Sequence, residues 1–561
     1  AVTNVAFFYS FNGGATNEVP MALQTNGLYA ATVPAMGATG TLRYLVRALD
    51  NTGRSTTHPY GGTAYAGALD IANSAVQLVV TELNYNPYAL SAAETNAGIT
   101  DKEYFEFIEL YNAGSAPLDL TGYKFTAGIG GTFPAFILTN GTYAVAVKNT
   151  NAFRIRYTNT AIRIITTFSG NLSNGGETVR LENAQSGVIA NIPYGDKGDW
   201  PGRADGDGSS LELIDPSTPE YDDPFAWRSS SEYGGTPGAA GLGPDNRIVI
   251  NEVLTHTDPP LSDSIELLNT TAGAISIGGW VLSDSKTNYR KYAIPAGTIL
   301  PAGGYIVFNE TNHFNTSGGS NPNDFSLDGA HGENVYLLQT DSRSNLVRFA
   351  DRAEFGPAAN GESFGRWPNG TGRLYPMASR TFGSANSGPR TGPVFIGELM
   401  YNPPSGSNHL AFIEIQNPTD STVDLTRWQL SDGISFAFPS NTLLPAGGVL
   451  AVLPFDPNAP ANSALLADFT ATYALTGTVS LVGGFSGTLS DAGERVRLLR
   501  PDDPPAEEPT FYPMLIEDEV AYGTDLPWPA EANGGGYSLE RLSPVAWGDS
   551  YTSWTAILPP T

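Results

Sequence analysis

Residues 108–123 read IELYNAGSAPLDLTGY, and nearly the same phrase returns as IELLNTTAGAISIGGW (265–280) and IEIQNPTDSTVDLTRW (413–428). The three align without a gap. Each starts with Ile-Glu, places Asn four positions after the Ile, and closes on an aromatic (Tyr123, Trp280, Trp428). Period-two alternation in Phe107-Ile108-Glu109-Leu110 puts Glu109 on the strand face opposite Ile108 and Leu110. Asn112, Asn269 and Asn417 follow, where Asn side chains favour turn geometry. The phrase predicts a strand, a turn and a second strand.

The repeat extends outward on both sides. Upstream lie VVTELNYNP (79–87), IVINEVLTH (248–256) and VFIGELMYNP (394–403), strand-like runs each with one Glu: Glu82, Glu252 and Glu398. Downstream, LTNGTYAVAV (138–147), LPAGGYIVFN (300–309) and LPAGGVLAVL (444–453) each read as a Gly-containing turn and a buried strand. LSNGGETVRL (172–181) matches LSDAGERVRL (489–498), with LDGAHGENVYL (327–337) a looser copy. Late in each unit come WPGRADGDGSSLEL (200–213), GESFGRWP (361–368) and WPAEANGGGYSLER (528–541). The phrase recurs at intervals of 157 and 148 residues, too long for a solenoid repeat and suited to whole domains in tandem.

The ordered set of motifs resembles the lamin-tail domain family, immunoglobulin-like β-sandwiches of nuclear lamins and of many secreted or surface bacterial proteins. The resemblance implies three such sandwiches, at 76–241, 246–390 and 393–561. Unit two departs most: its tail reads GESFGRWPNGTGRLYP, then RTFGSANSGP where unit one has GGTPGA, which leaves its terminal strand open. Residues 1–75 differ. VAFFYSFNGG, EVPMAL, GLYAATVPA and TLRYLVRALDNTGRSTTHP read as four strands and resemble the later part of a fibronectin-III-like or immunoglobulin-like module. Such modules run to about 100 residues. The expectation is a partial module in a stretch of a longer protein, or one completed by a strand from a neighbouring chain. The short Gly/Pro-rich linkers at 242–246 and 387–393 limit bending between modules.

Composition agrees with an all-β chain of tandem immunoglobulin-like β-sandwich domains. A length of 561 residues suits about three to five domains. The 63 Gly and 41 Pro punctuate short apolar runs, and no amphipathic helix of three or more turns is predicted. The net charge of −27 argues against nucleic acid and anionic membrane surfaces as partners. No run of about 18 apolar residues predicts a membrane span. There is no cysteine, so disulfides contribute nothing.

Several constellations invite chemistry. Glu82 with Glu109, Glu252 with Glu266, and Glu398 with Glu414 are paired carboxylates of the kind glycosidases use. Three equal pairs in three diverged domains fit a structural role better: satisfying backbone donors or pairing across strands. Asp205 and Asp207, in the turn ADGDG, are a candidate Ca²⁺ site; the matching turn in unit three, Ala532–Gly536, has no carboxylate. Gly361–Gly365 fits G-x-S-x-G, but the only His after Ser363 is His409, in the next unit. His58, His256, His313, His331 and His409 have no zinc-site spacing. Asn171, Asn269, Asn309, Asn315 and Asn369 begin N-x-[ST] sequons. No cofactor is expected beyond that Ca²⁺.

The reading is a non-catalytic extracellular or cell-surface structural protein of bacterial type: a stalk, adhesin spacer or filament subunit. Its expected partners are like chains or neighbouring domains, a surface glycan or a protein. The alternative is a binding region of a longer secreted or surface enzyme, with Trp200, Trp367 and Trp528 as aromatics for a sugar face or as core residues.

Overall fold

The computed structural model describes residues 2–11, 16–24, 28–33, 40–50, 55–58, 67–71, 77–403, 406–475 and 479–559. Strands dominate it. The chain divides into two compact units, Ala1–Gly243 and Pro244–Thr561. The first holds the N-terminal module and one sandwich, and the second holds two sandwiches.

In the N-terminal module, Val2–Phe11 pairs antiparallel with Gly40–Asp50 and with Asn17–Pro20. Gly40–Asp50 also receives Ser55–His58 and Gly67–Ile71, making one five-stranded sheet. A short ribbon joins Ala22–Leu23 to Tyr29–Ala30. The sequence reading ran Ser55–His58 together with the strand before it and did not expect Gly67–Ile71. Of the four expected strand runs, residues 12–14, 27, 34–35, 51–54 and 59 lie outside the described residues.

Each later module is a two-sheet sandwich built on one plan. In the first, one sheet runs Ile164–Thr167, Tyr143–Val147, Phe107–Asn112, Leu78–Asn84, Leu211–Leu213, Trp227–Ser229. The other runs Gly131–Thr132, Lys124–Ala127, Glu177–Glu182, Val188–Tyr194. Ile108 and Leu110 project into the core between the sheets, with Phe125, Val179 and Leu181. Phe107 projects the other way, against Val145, Val147 and Phe153 of the short helix Thr150–Arg156. Both faces of the phrase strand are therefore covered, which explains why Glu109 is buried despite the alternation. The third module repeats this: Ile413 and Ile415 enter the sandwich core. Phe412 meets Phe469 and Tyr473 on the far face.

The terminal strand left open in unit two forms. Arg373–Pro376 pairs with Ser363–Trp367, as Trp227–Ser229 pairs with Leu211–Leu213 and Trp554–Ile557 with Ser538–Arg541. Unit two has a different edge. Units one and three add a parallel strand there (Ile164–Thr167; Ser480–Gly483), whereas unit two places the π-helical turn Glu310–Phe314, whose Phe314 stacks on Phe325. The helix Ser463–Thr472 has 10 residues, just under three turns at 3.6 per turn. Phe469 is its buried residue, and Leu465 and Leu466 pack half-buried on the same cluster.

Candidate functional site

The paired carboxylates are created by a β-bulge. In each module the register of the opening strand shifts by one residue just before its Glu: between Val80 and Glu82, Ile250 and Glu252, Ile396 and Glu398. The shift sets Glu82 directly opposite Glu109, Glu252 opposite Glu266, and Glu398 opposite Glu414. Like charges across a strand pair repel, so the arrangement needs compensation.

The skipped residue supplies part of it. Thr81 Oγ1 donates to Glu109 at 2.7 Å, and Asn251 Nδ2 donates to Glu266 at 2.9 Å. In unit three this position is Gly397, and Gln416 donates to Glu414 at 2.6 Å instead. A Cβ on Gly397 would lie 2.4 Å from that Gln416 amide nitrogen, so the glycine makes room for the replacement donor. A serine on the late strand adds a second donor. Ser210 Oγ donates to Glu82, Ser363 Oγ to Glu252 at 2.5 Å, and Ser538 Oγ to Glu398. Ser363 is thus a buried strand residue, not a nucleophile on an exposed elbow.

The tail closes the pair. In unit one the Thr236 amide donates to Glu82 at 2.9 Å and the Gly238 amide to Glu109 at 2.6 Å. In unit two Thr381 N donates to both oxygens of Glu252 (3.0 and 3.1 Å), and Gly383 N donates to Glu266 at 2.5 Å. RTFGSAN therefore does the work of GGTPG. Gly235 has φ +85°, and a Cβ there would lie 2.2 Å from a Glu82 oxygen. Among the described residues, the third pair receives no backbone donor, and Glu414 is correspondingly only half-buried.

Burial pushes the Glu82 carboxyl up from its usual 4.5 to about 8. Glu109 is raised well above that usual value by burial and by the facing Glu82. Burial carries Glu266 and Glu398 to about 7 and raises Glu414 as well. Such pairs hold a proton near neutral pH. They could act on a substrate only if one reached them. The cleft beside Glu109 and Thr236 has a volume of about 100 Å³, against roughly 300–1,000 Å³ for ligand pockets.

A second recurring device serves the amide at the bulge. Ile250 N donates to Asp351 at 2.6 Å and Ile396 N to Asp518 at 2.8 Å. Each Asp is paired with an arginine of the late strand: Arg366 at 2.8 Å, and Arg541 in a fully buried contact. In unit one the arginine position is Leu213 and the aspartate position is Ala190. There Val80 N donates to Tyr221 Oη at 3.0 Å. The sequence reading missed this device, because its partners lie far apart and differ in type between units.

The asparagines hold the turn. Asn112 Nδ2 donates to the carbonyls of Ala116 and Leu138. Asn269 Nδ2 donates to Gly273, Leu300 and Pro301, and Asn417 Nδ2 to Ser421, Leu444 and Pro445. All three are buried, which removes Asn269 as a glycan acceptor.

Asp205 accepts from Asn86 Nδ2 at 2.6 Å; the third unit makes the same contact with uncharged groups, Asn402 to Asn533 at 2.7 Å. The contact therefore does not depend on the carboxylate. Gly206 and Gly208, which flank Asp207, have φ of +83° and +97°. No three His, Asp or Glu among the described residues are grouped to hold a metal ion. Trp200 and Trp528 pack against their cores, and Trp367 is half-buried.

No curated protein matches the chain. Among solved structures, a DUF4876 family protein from Bacteroides thetaiotaomicron aligns at 10% identity over 43% of this chain and 92% of its own, with TM-score 0.20. A tetra-tandem repeat in the extending region of a large adhesion protein aligns at 11% identity over 93% and 92%, with TM-score 0.11. The family described as Lamin Tail Domain matches residues 72–196, 243–352 and 387–503. These three segments make up more than half of the sequence and each contains one carboxylate pair, and the chain belongs to the lamin tail domain family.

Proposed function

We propose that this chain is a non-catalytic structural protein of the extracellular or cell-surface kind, in which serial sandwiches act as a spacer, stalk or filament subunit. The observation that carries the reading is the fate of the recurring carboxylates. In units one and two they accept backbone amides from their own tail, and the cleft beside the unit-one pair measures only about 100 Å³. A catalytic pair would need open access; a pair that locks a tail onto a sheet needs closure. Among the described residues no helix is long and apolar enough to cross a membrane. Self-assembly through strand addition at the N-terminal module belongs to the same reading, since sheet edges accept further strands.

The test is a hydrolase screen of the purified chain beside Glu82→Gln, Glu252→Gln and Glu398→Gln. The expected result is no turnover in any of them, with altered unfolding in each variant. Turnover lost on mutating one pair at unchanged stability would overturn the reading.

A further inference from the structure

Basic residues are scarce in this chain: 29 Lys and Arg against 56 Asp and Glu. Five arginines nevertheless line one cleft of about 630 Å³ between the second and third sandwiches: Arg352, Arg366 and Arg373 from one, Arg495 and Arg497 from the other. Glu354 is the only acidic residue on its wall. The other carboxylates that pair with these arginines, Asp351, Asp549, Glu519 and Asp432, stand outside the lining.

The pairing is also incomplete. Glu519 serves two arginines, at 2.9 Å from Arg497 and 4.0 Å from Arg495. Arg495 Nε is buried without a hydrogen-bond partner. Arg373 stands 4.0 Å from Asp549, with nearly half its side chain exposed. Guanidinium groups present fixed forks that match planar carboxylates and sulfates. Phe355, Pro357 and Met514 add apolar wall, suited to the C–H face of a ring.

We propose that this cleft binds a short acidic saccharide, carrying carboxylate or sulfate groups, through Arg373 and Arg495. The volume lies within the range of small-ligand pockets, roughly 300–1,000 Å³. The charge of −27 on the whole chain opposes a long polyanion, so the ligand is short and held by contacts inside the cleft. This goes beyond the spacer reading and stands or falls separately from it.

The experiment is calorimetric titration of the full chain with trigalacturonate at low and high salt, with maltotriose and sodium sulfate as comparison probes. The expected result is saturable binding of the acidic trimer that weakens with salt, and no binding of the neutral trimer. Arg373→Gln and Arg495→Gln should each weaken binding about tenfold, or about 1.4 kcal/mol, at an unchanged unfolding temperature. Arg373 is exposed enough that its variant folds whatever happens at Arg495. Four results would overturn the proposal: no binding of the trimer at millimolar concentration, equal binding of maltotriose, unchanged affinity in the Arg373 variant, or sulfate binding as tightly as the trimer.

Discussion

Asn269 donates to three carbonyls from one buried amide while its oxygen accepts from Thr271 N and Oγ1. Replacing it with alanine leaves the buried Leu300 carbonyl without this donor. Asn269→Ala should cost about 1–3 kcal/mol, seen as a lower urea midpoint at unchanged slope; a shift under about 0.5 kcal/mol, typical of a surface substitution, would remove its bracketing role. Arg541 is a sharper case, because its partner Asp518 is also buried. Arg541→Leu leaves that carboxylate without its cation and should destabilise by about 3–5 kcal/mol. Adding Asp518→Ala should recover part of the loss, since unit one already pairs Leu213 with Ala190 at these positions. Denaturation of the two variants side by side measures the coupling. The asparagine could be picked out from the repeated phrase. The Arg–Asp pair could not, because one unit in three solves the same problem with a tyrosine.

The tail is the element that decides how the carboxylates behave. Gly235 needs its glycine twice over: its φ is +85°, and a Cβ would meet Glu82. Gly235→Ala should lift the tail, remove the Thr236 amide from Glu82 and cost more than about 1 kcal/mol. Hydrogen exchange at Thr236 and Gly238 should quicken in that variant, and unchanged protection there would show that the tail is held by other contacts. The all-β class was legible because the alternation and turn residues of the phrase are strong local signals. The Glu of each opening strand was legible as a repeat. Its exact opposition to the phrase Glu was not, because a one-residue bulge sets it and a bulge leaves no mark in the pattern. Glu212 and Glu540 flank the pairs from the late strand, where unit two has Gly365. That position was also hidden, since it varies with what packs there: a Cβ on Gly365 would strike Asn386.

For the whole molecule the carboxylate pairs set a pH dependence. A carboxyl whose folded value lies above its unfolded value binds more protons folded than unfolded. Its contribution to stability is complete below about 4.5 and is lost as pH rises towards about 8 for Glu82. The slope from one such group cannot exceed about 1.4 kcal/mol per pH unit. Other carboxylates pull the opposite way, Glu94 among them, held low by its hydrogen bonds with Arg156 and Ser91 against the effect of burial. The comparison must therefore be with a variant lacking only the Glu82 proton. Glu82→Gln keeps an oxygen that can accept from Ser210 and Thr236 and cannot ionise. The first measurement is the unfolding of the native chain and of Glu82→Gln by calorimetry from pH 5 to pH 9. If the pair is a structural lock, the native curve for the first unit falls relative to the variant as pH rises towards about 8, and then runs parallel to it. If the two curves keep a constant separation across the range, the pair holds no buried proton, and the account of it as a closed lock is wrong.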